Sequence, residues 1–255
     1  MNDKPILVLE AVEKSFGSVR VLCGVNATLN ARQITAFVGP NGAGKTTLFH
    51  TITGDLKVDR GAVVFEGRSL VGLPPWKIAR LGLGKMFQDV RVFESLSVIE
   101  NVLLALHDHA SRSPWASVLR APFCQKKDLE RKDRAVDWLK MVGLEGPYDK
   151  PAGQLSFGNQ KLLAFARLLA GGFRFLLLDE PTAGVAPPLV EKIGELLHGL
   201  VKDHGVSIAL IEHNYSFVNA VAHAVYVLQD GFVRDQGVTR DVLSRDGNRE
   251  ILIGI

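Results

Sequence analysis

Apolar positions change period along this chain, and each change predicts an element. Residues 6–16 alternate loosely and predict a strand; Gly17-Ser18 turns it, and 19–29 returns as a second strand with polar interruptions. Ile34-Thr35-Ala36-Phe37-Val38 is apolar and partly β-branched, the pattern of a buried strand, and 46–54 reads as a short helix after it. Residues 62–65 predict a strand that Glu66-Gly67 turns back. Pro74-Pro75 opens a helix, since proline suits a first turn, and Gly82-Leu83-Gly84 closes it. Lys85-Met86-Phe87 is then a short strand that delivers Gln88.

The period lengthens over 97–106, where Val98, Val102, Leu103 and Leu106 share one side of a helix. Ser97 and Glu100 have the spacing of a capping box. Residues 111–122 show no clean period and read as a loop, and 126–140 as a charged helix carrying Ala135, Val136, Trp138 and Leu139. Ser156 stands at an N-cap position before a helix that runs to about 170, with Leu162, Leu163, Ala166 and Leu169 on its apolar face. Residues 175–178 are apolar without alternation and end in Asp179-Glu180. A strand apolar on both faces belongs in the middle of a parallel sheet. A helix over 187–201 and a buried strand over 207–211 follow, the strand ending in Glu212-His213. Asp230-Gly231 between 224–229 and 232–233 is a hairpin signal, and 239–245 a short helix. Strands alternating with helices predict an α/β fold.

One stretch carries explicit chemistry. Gly39-Pro40-Asn41-Gly42-Ala43-Gly44-Lys45-Thr46-Thr47 reads G-x-x-x-x-G-K-[ST] between a predicted strand and a predicted helix, the context that a phosphate-binding loop needs. Its glycines let successive N–H groups turn inward to phosphate oxygens, and the helix start adds the positive end of its dipole. Lys45 supplies a point charge for β- and γ-phosphates, and Thr46 a hydroxyl for Mg²⁺. Ligands of open parallel sheets bind at the carboxyl ends of the strands, which sets Asp179, Glu180 and His213 beside this loop. Phe16, nearest the first turn, is either a stacking face for an adenine ring or a core residue. Ser156 is either a plain cap or part of an anion site. His107 and His109 flank Asp108 without a fixed third ligand, and read as an exposed polar turn.

Composition narrows the field. The chain has 255 residues, 47% hydrophobic and 22% charged, an ordinary globular balance with room for a large core. Thirty basic residues against 27 acidic ones leave a net charge of +3, and no basic run argues for nucleic acid. Cys23 and Cys124 lie far apart in no metal or redox spacing, as plain thiols in a reducing compartment do. No apolar stretch approaches the ~20 residues of a membrane span, and the polar start at 1–5 is not a signal peptide. A role at a membrane would need other chains.

Taken in order, these motifs resemble the ATP-binding cassette family of transporter ATPases over nearly the whole chain. Residues 39–46 are similar to its Walker A motif, Gln88 to the Q-loop, and 155–160 to the signature. Residues 175–179 resemble Walker B with Glu180 next to it, and His213 the switch histidine. Residues 72–75, 78–82 and 87–93 further resemble the branched-chain, or hydrophobic, amino-acid uptake subfamily, a pattern that urea and short-chain amide importers share. Exporter cassettes and soluble, non-transport cassette ATPases are the rival readings. Three positions depart from the family: Phe157 replaces the first signature glycine, Asn159 stands where glutamine is usual, and Ala186 occupies a D-loop position that carries Asp or Asn.

The resemblance implies a P-loop NTPase core with a mixed sheet, an antiparallel β subdomain and a helical subdomain. One domain spans 1–255, with 1–75 and 171–255 as the RecA-like catalytic and β lobe and 76–170 as the helical signature lobe. It implies ATP and Mg²⁺ as cofactors. ATP would lie against Phe16 and residues 39–47 of one cassette and against Ser156 and Gly158 of a second, identical or paralogous. Thr46, Gln88 and Asp179 would surround the metal, and Glu180, His213 and Gln88 would serve catalysis. Transmembrane permeases and a periplasmic or extracellular solute-binding protein are the implied partners, with this chain peripheral on the cytoplasmic face of the cell membrane.

Overall fold

A computed structural model describes residues 4–86, 91–106, 123–245 and 247–248. Gln88, the His107–His109 turn and the predicted loop at 111–122 lie outside the described residues, as does the side chain of Cys124. The chain forms two compact units, one of 1–88, 173–183 and 187–255, the other of 89–172 and 184–186.

The first unit holds two sheets. Strands β1 (Pro5–Phe16), β2 (Val19–Asn30), β4 (Arg60–Phe65) and β5 (Arg68–Ser69) form an antiparallel sheet in the order β2-β1-β4-β5. The second sheet runs β10-β9-β3-β8-β7-β6, from β3 (Ile34–Val38), β6 (Leu83–Met86), β7 (Phe175–Asp179), β8 (Ser207–Ile211), β9 (Ala224–Gln229) and β10 (Phe232–Val238). All its pairings are parallel except β9 with β10. Every residue of β3, β7 and β8 is buried, as befits mostly apolar strands in the middle of a parallel sheet.

Helix α1 (Lys45–Ile52) follows β3. Phe37 of β3 stacks on Tyr226 of β9 with centroids 5.3 Å apart and meets Phe49 of α1 edge-on at 5.9 Å. The Tyr226 hydroxyl accepts from Thr28 N–H at 2.9 Å and donates to the Thr28 carbonyl at 2.8 Å, tying β9 to β2 of the other sheet. Helices α2 (Pro75–Arg80), α6 (Pro187–His204), α7 (Tyr215–Val221) and α8 (Thr239–Leu243) complete this unit. The sequence sets a lobe boundary at 75/76, whereas the first unit runs on to residue 88. The cause is β6, which pairs in parallel with β7 from Leu83 opposite Phe175 to Met86 opposite Leu178. Pairing also extends β10 to seven residues, beyond the predicted 232–233.

The second unit is helical. It contains α3 (Val98–Ala105), α4 (Phe123–Met141) and α5 (Phe157–Ala170). Ser97 caps α3 in a complete capping box with Glu100, and Ser156 caps α5 by accepting from Asn159 N–H at 3.3 Å. The buried face of α5 includes Leu162, Leu163, Phe165 and Ala166.

Candidate functional site

Residues 39–47 form the turn from β3 into α1. Gly39 has φ 148° and Gly44 φ 98°, conformations that L side chains rarely adopt. Space is closed as well: a Cβ on Gly39 would lie 2.0 Å from the Leu228 carbonyl oxygen, and one on Gly44 2.8 Å from that of Val21. The loop is thereby seated between β9 and β2, with Asn41 and Gly42 exposed and Ala43 buried. Lys45, only 6% exposed, donates to the Gly39 and Pro40 carbonyls at 2.8 and 2.9 Å. Burial draws its pKa below that of an ordinary lysine, while the Glu180 and Asp179 charges act the other way. Thr46 is exposed and Thr47 half-buried at the start of α1. Phe16 is 48% exposed on the β1–β2 hairpin, the same hairpin whose Val21 and Leu22 adjoin Gly44.

Asp179 ends β7 and is 4% exposed; its Oδ1 is buried and accepts no hydrogen bond among the described residues. Burial and then the Glu180 charge push its pKa up, against the opposing pull of Lys85, His50 and Lys45. Glu180 turns out of the sheet with φ 49°, the left-handed region, at a cost of about 1 kcal/mol for a residue with a Cβ. Its N–H donates to the Ile211 carbonyl at 3.0 Å, which pins it beside the end of β8. From the segment after β8, His213 brings Nε2 within 3.3 Å of Glu180 Oε1. The first unit therefore gathers Lys45, Asp179, Glu180 and His213 around one loop.

Ser156 and Gly158 belong to the second unit, at the exposed start of α5. Phe157 is 49% exposed, with Lys161 Nζ 5.9 Å from its ring centroid. The same ring covers Gly184, where a Cβ would lie 3.1 Å from Phe157 Cε1. Gly184 and Ala186 pack with this unit rather than with the strand they follow.

With this geometry in view, the family described as "ABC transporter" matches residues 22–183, more than half of the chain. The chain belongs to the ABC transporter family. The high-affinity branched-chain amino acid transport ATP-binding protein LivG of Salmonella typhimurium is 34% identical to this cassette over 239 residues, covering 94% of each chain. The probable branched-chain amino acid transport ATP-binding protein LivG of Methanocaldococcus jannaschii is 34% identical over 256 residues, with 98% of this chain and 97% of its own covered. An ATP-binding cassette of an ABC transporter, solved in its ADP conformation, superposes with a TM-score of 0.84 at 32% identity, covering 99% of this chain and all of its own. A dimeric cassette in a post-hydrolysis state with ADP and Pi superposes with a TM-score of 0.78 at 26% identity, over 92% of this chain and 99% of that one. Among the described residues no helix is long and apolar enough to cross a membrane.

Two features of the cassette site are not visible to a motif search. Glu212, 3% exposed, accepts from Thr182 N–H at 2.8 Å and Thr182 Oγ1 at 2.5 Å with one oxygen, and from His213 N–H at 3.1 Å and Asn214 N–H at 3.3 Å with the other. It ties the turn after β7 to the turn after β8, and so fixes where Glu180 and His213 meet. The sequence signal was its place at a buried strand end, which the neighbouring histidine overshadowed. Lys85 of β6 donates to Asp55 at 3.0 Å, and His50 of α1 sits 3.2 Å from the same carboxylate oxygen. Both side chains lie near Asp179, an arrangement for which linear spacing holds no signal.

Proposed function

We propose that this cassette is the ATP-hydrolysing subunit of an uptake transporter for branched-chain or other hydrophobic amino acids. The observation that carries the catalytic reading is the end of β7. Asp179 offers a buried oxygen that no group among the described residues satisfies, next to Glu180, which His213 holds in place. The substrate class rests on the curated relatives, whose printed names specify branched-chain amino acids.

The unsatisfied Asp179 oxygen and the exposed Thr46 hydroxyl suit a hard cation with oxygen ligands, so these residues fit Mg²⁺, with Gln88 as the third proposed ligand. When bound, the ion neutralises charge on the β- and γ-phosphate oxygens. N–H groups of 39–47 cradle the phosphates, and Lys45 exchanges its carbonyl partners for phosphate oxygens. Phe16 stacks on the adenine. Glu180 takes a proton from a water that attacks the γ-phosphorus; the new P–O bond forms as the bond to the bridging oxygen breaks, and ADP leaves with that electron pair. His213 orients Glu180 and the γ-phosphate.

Ser156 and the Gly158 N–H meet the ATP of a second cassette, identical or paralogous, so that ATP closes the pair and hydrolysis releases it. Permease subunits anchor the pair at the cytoplasmic face, and a solute-binding protein delivers the cargo. The first unit is the catalytic lobe and the second the signature lobe. Purification from native membranes tests this reading: permeases should co-purify, and ATPase activity in proteoliposomes should rise with a branched-chain amino acid and its binding protein. Stimulation by urea or amides alone, or co-purification with ribosomes, would overturn the assignment.

A further inference from the structure

The chain beyond Gln88 re-enters the described residues at Arg91, within the second unit. Over 91–96 it is neither helix nor strand, yet it is firmly bonded. Asn101, with no exposed surface, uses both ends of its amide on one residue: Phe93 N–H donates to Oδ1 at 2.9 Å, and Nδ2 donates to the Phe93 carbonyl at 3.0 Å. A neighbouring β-strand would make the same pair of bonds. Arg167 of α5 donates from Nη1 to the Arg91 carbonyl and stacks its guanidinium over Phe93, 4.7 Å from the ring centroid. Its Nε is buried without a partner among the described residues, a stability cost that an apolar side chain filling the same space would not incur. What an apolar side chain would give up is the hold on Arg91.

Against this segment runs 150–154, which leads into Ser156. Ala152 N–H donates to the Leu96 carbonyl at 2.8 Å, Gly153 N–H to that of Glu94 at 3.0 Å, and Val98 N–H to that of Lys150 at 3.0 Å. Gly153 permits the approach, since a Cβ there would lie 3.1 Å from Glu94 Cβ and 3.3 Å from its carbonyl oxygen.

We propose that 91–96 and 150–154 form one rigid strap, and that Asn101 and Arg167 act through it as positioning residues that fix the placement of Ser156. This rests on the role proposed above for Ser156 at the ATP of a second cassette. Backbone bonds between two short segments leave little slack, so the placement of Ser156 follows that of 91–96.

A double-mutant cycle on the full-length chain tests the strap, with ATPase kcat and ATP affinity read separately. Gly153→Ala and Arg167→Met are made alone and with Ser156→Ala. Each strap variant should lower kcat about 10- to 100-fold while ATP affinity changes less than about twofold, because misplaced groups lose rate rather than binding. In the Ser156→Ala background the same variants should cost nothing further. Arg167→Lys, which keeps a donor for the Arg91 carbonyl, should recover most of kcat. Amide exchange gives a readout independent of turnover: the Ala152 and Gly153 N–H groups should lose protection in Arg167→Met while the interior of α5 keeps it. Losses that multiply in both backgrounds, or unchanged amide protection, overturn the strap alone. An unchanged kcat for Ser156→Ala removes the role of Ser156 and the strap with it.

Discussion

Strands β7 and β8 lie side by side in parallel, and each leads into a buried carboxylate at its carboxyl end. Glu212 after β8 accepts four hydrogen bonds from Thr182, His213 and Asn214. Asp179 at the end of β7 has one buried oxygen with no partner among the described residues, and its pKa is pushed up. Position and burial are alike; what differs is whether the fold supplies the donors. A satisfied carboxylate is a tie between turns. An unsatisfied one, next to a second acid and near Lys45, Lys85 and His50, is open to a ligand.

The largest expected effect falls on Glu180, the partner of the unsatisfied acid. Glu180→Gln should slow single-turnover ATP hydrolysis about 10²- to 10⁴-fold and leave nucleotide binding intact. Near-normal single-turnover rates would move the base elsewhere. Lys45→Ala comes next: losing a charged donor to phosphate should weaken ATP binding by roughly 10- to 100-fold in a titration. An unchanged affinity would mean that the loop is only structural.

Glu212→Gln sharpens the other half of the comparison. The amide turns a donor toward two backbone N–H groups or toward Thr182, and should cost about 2–3 kcal/mol of stability. In a chain of this size that lowers Tm by several degrees, roughly 2–4 °C per kcal/mol. A Tm equal to wild type would show that the tie carries no weight. The smallest effect is expected at Ala186, where an exposed methyl stands in the D-loop and cannot hydrogen-bond a facing cassette. The proposal is weak communication between paired sites, so Ala186→Asn should raise the Hill coefficient for ATP. Identical Hill coefficients and rates, alone and in the full complex, would make the substitution neutral.

Much of the site is legible in the sequence because its signals are local. Residues 39–47, the acids after 175–178 and the cap at Ser156 each announce themselves within a few positions. Helix α7 was also within reach: Asn214 caps it, accepting from Phe217 N–H at 3.0 Å, and Phe217, Val218 and Val221 form its buried face. What linear reading cannot recover depends on neighbours distant in sequence. The bonds to one oxygen of Glu212 come from Thr182, thirty residues away. Likewise β6 joins the first unit through pairing with β7, about ninety residues on, which local pattern cannot express.

The most direct test of the account compares Asp179→Asn with Glu212→Gln in one experiment: Tm of the nucleotide-free protein beside Mg²⁺-dependent ATP hydrolysis per folded molecule. A folded-state pKa raised above the unfolded value of 3.8 means that the folded protein binds the proton more tightly. The Asp179 charge then destabilises the fold at pH values above the raised pKa, and stability returns as pH falls through that pKa toward the unfolded value. Asp179→Asn should therefore keep or raise Tm at neutral pH, flatten that acid-side gain, and abolish Mg²⁺-dependent hydrolysis. Glu212→Gln should lower Tm and retain much of the hydrolysis per folded molecule. A fall in Tm for Asp179→Asn with hydrolysis preserved would contradict the account, because Asp179 would then be the tie and not the site.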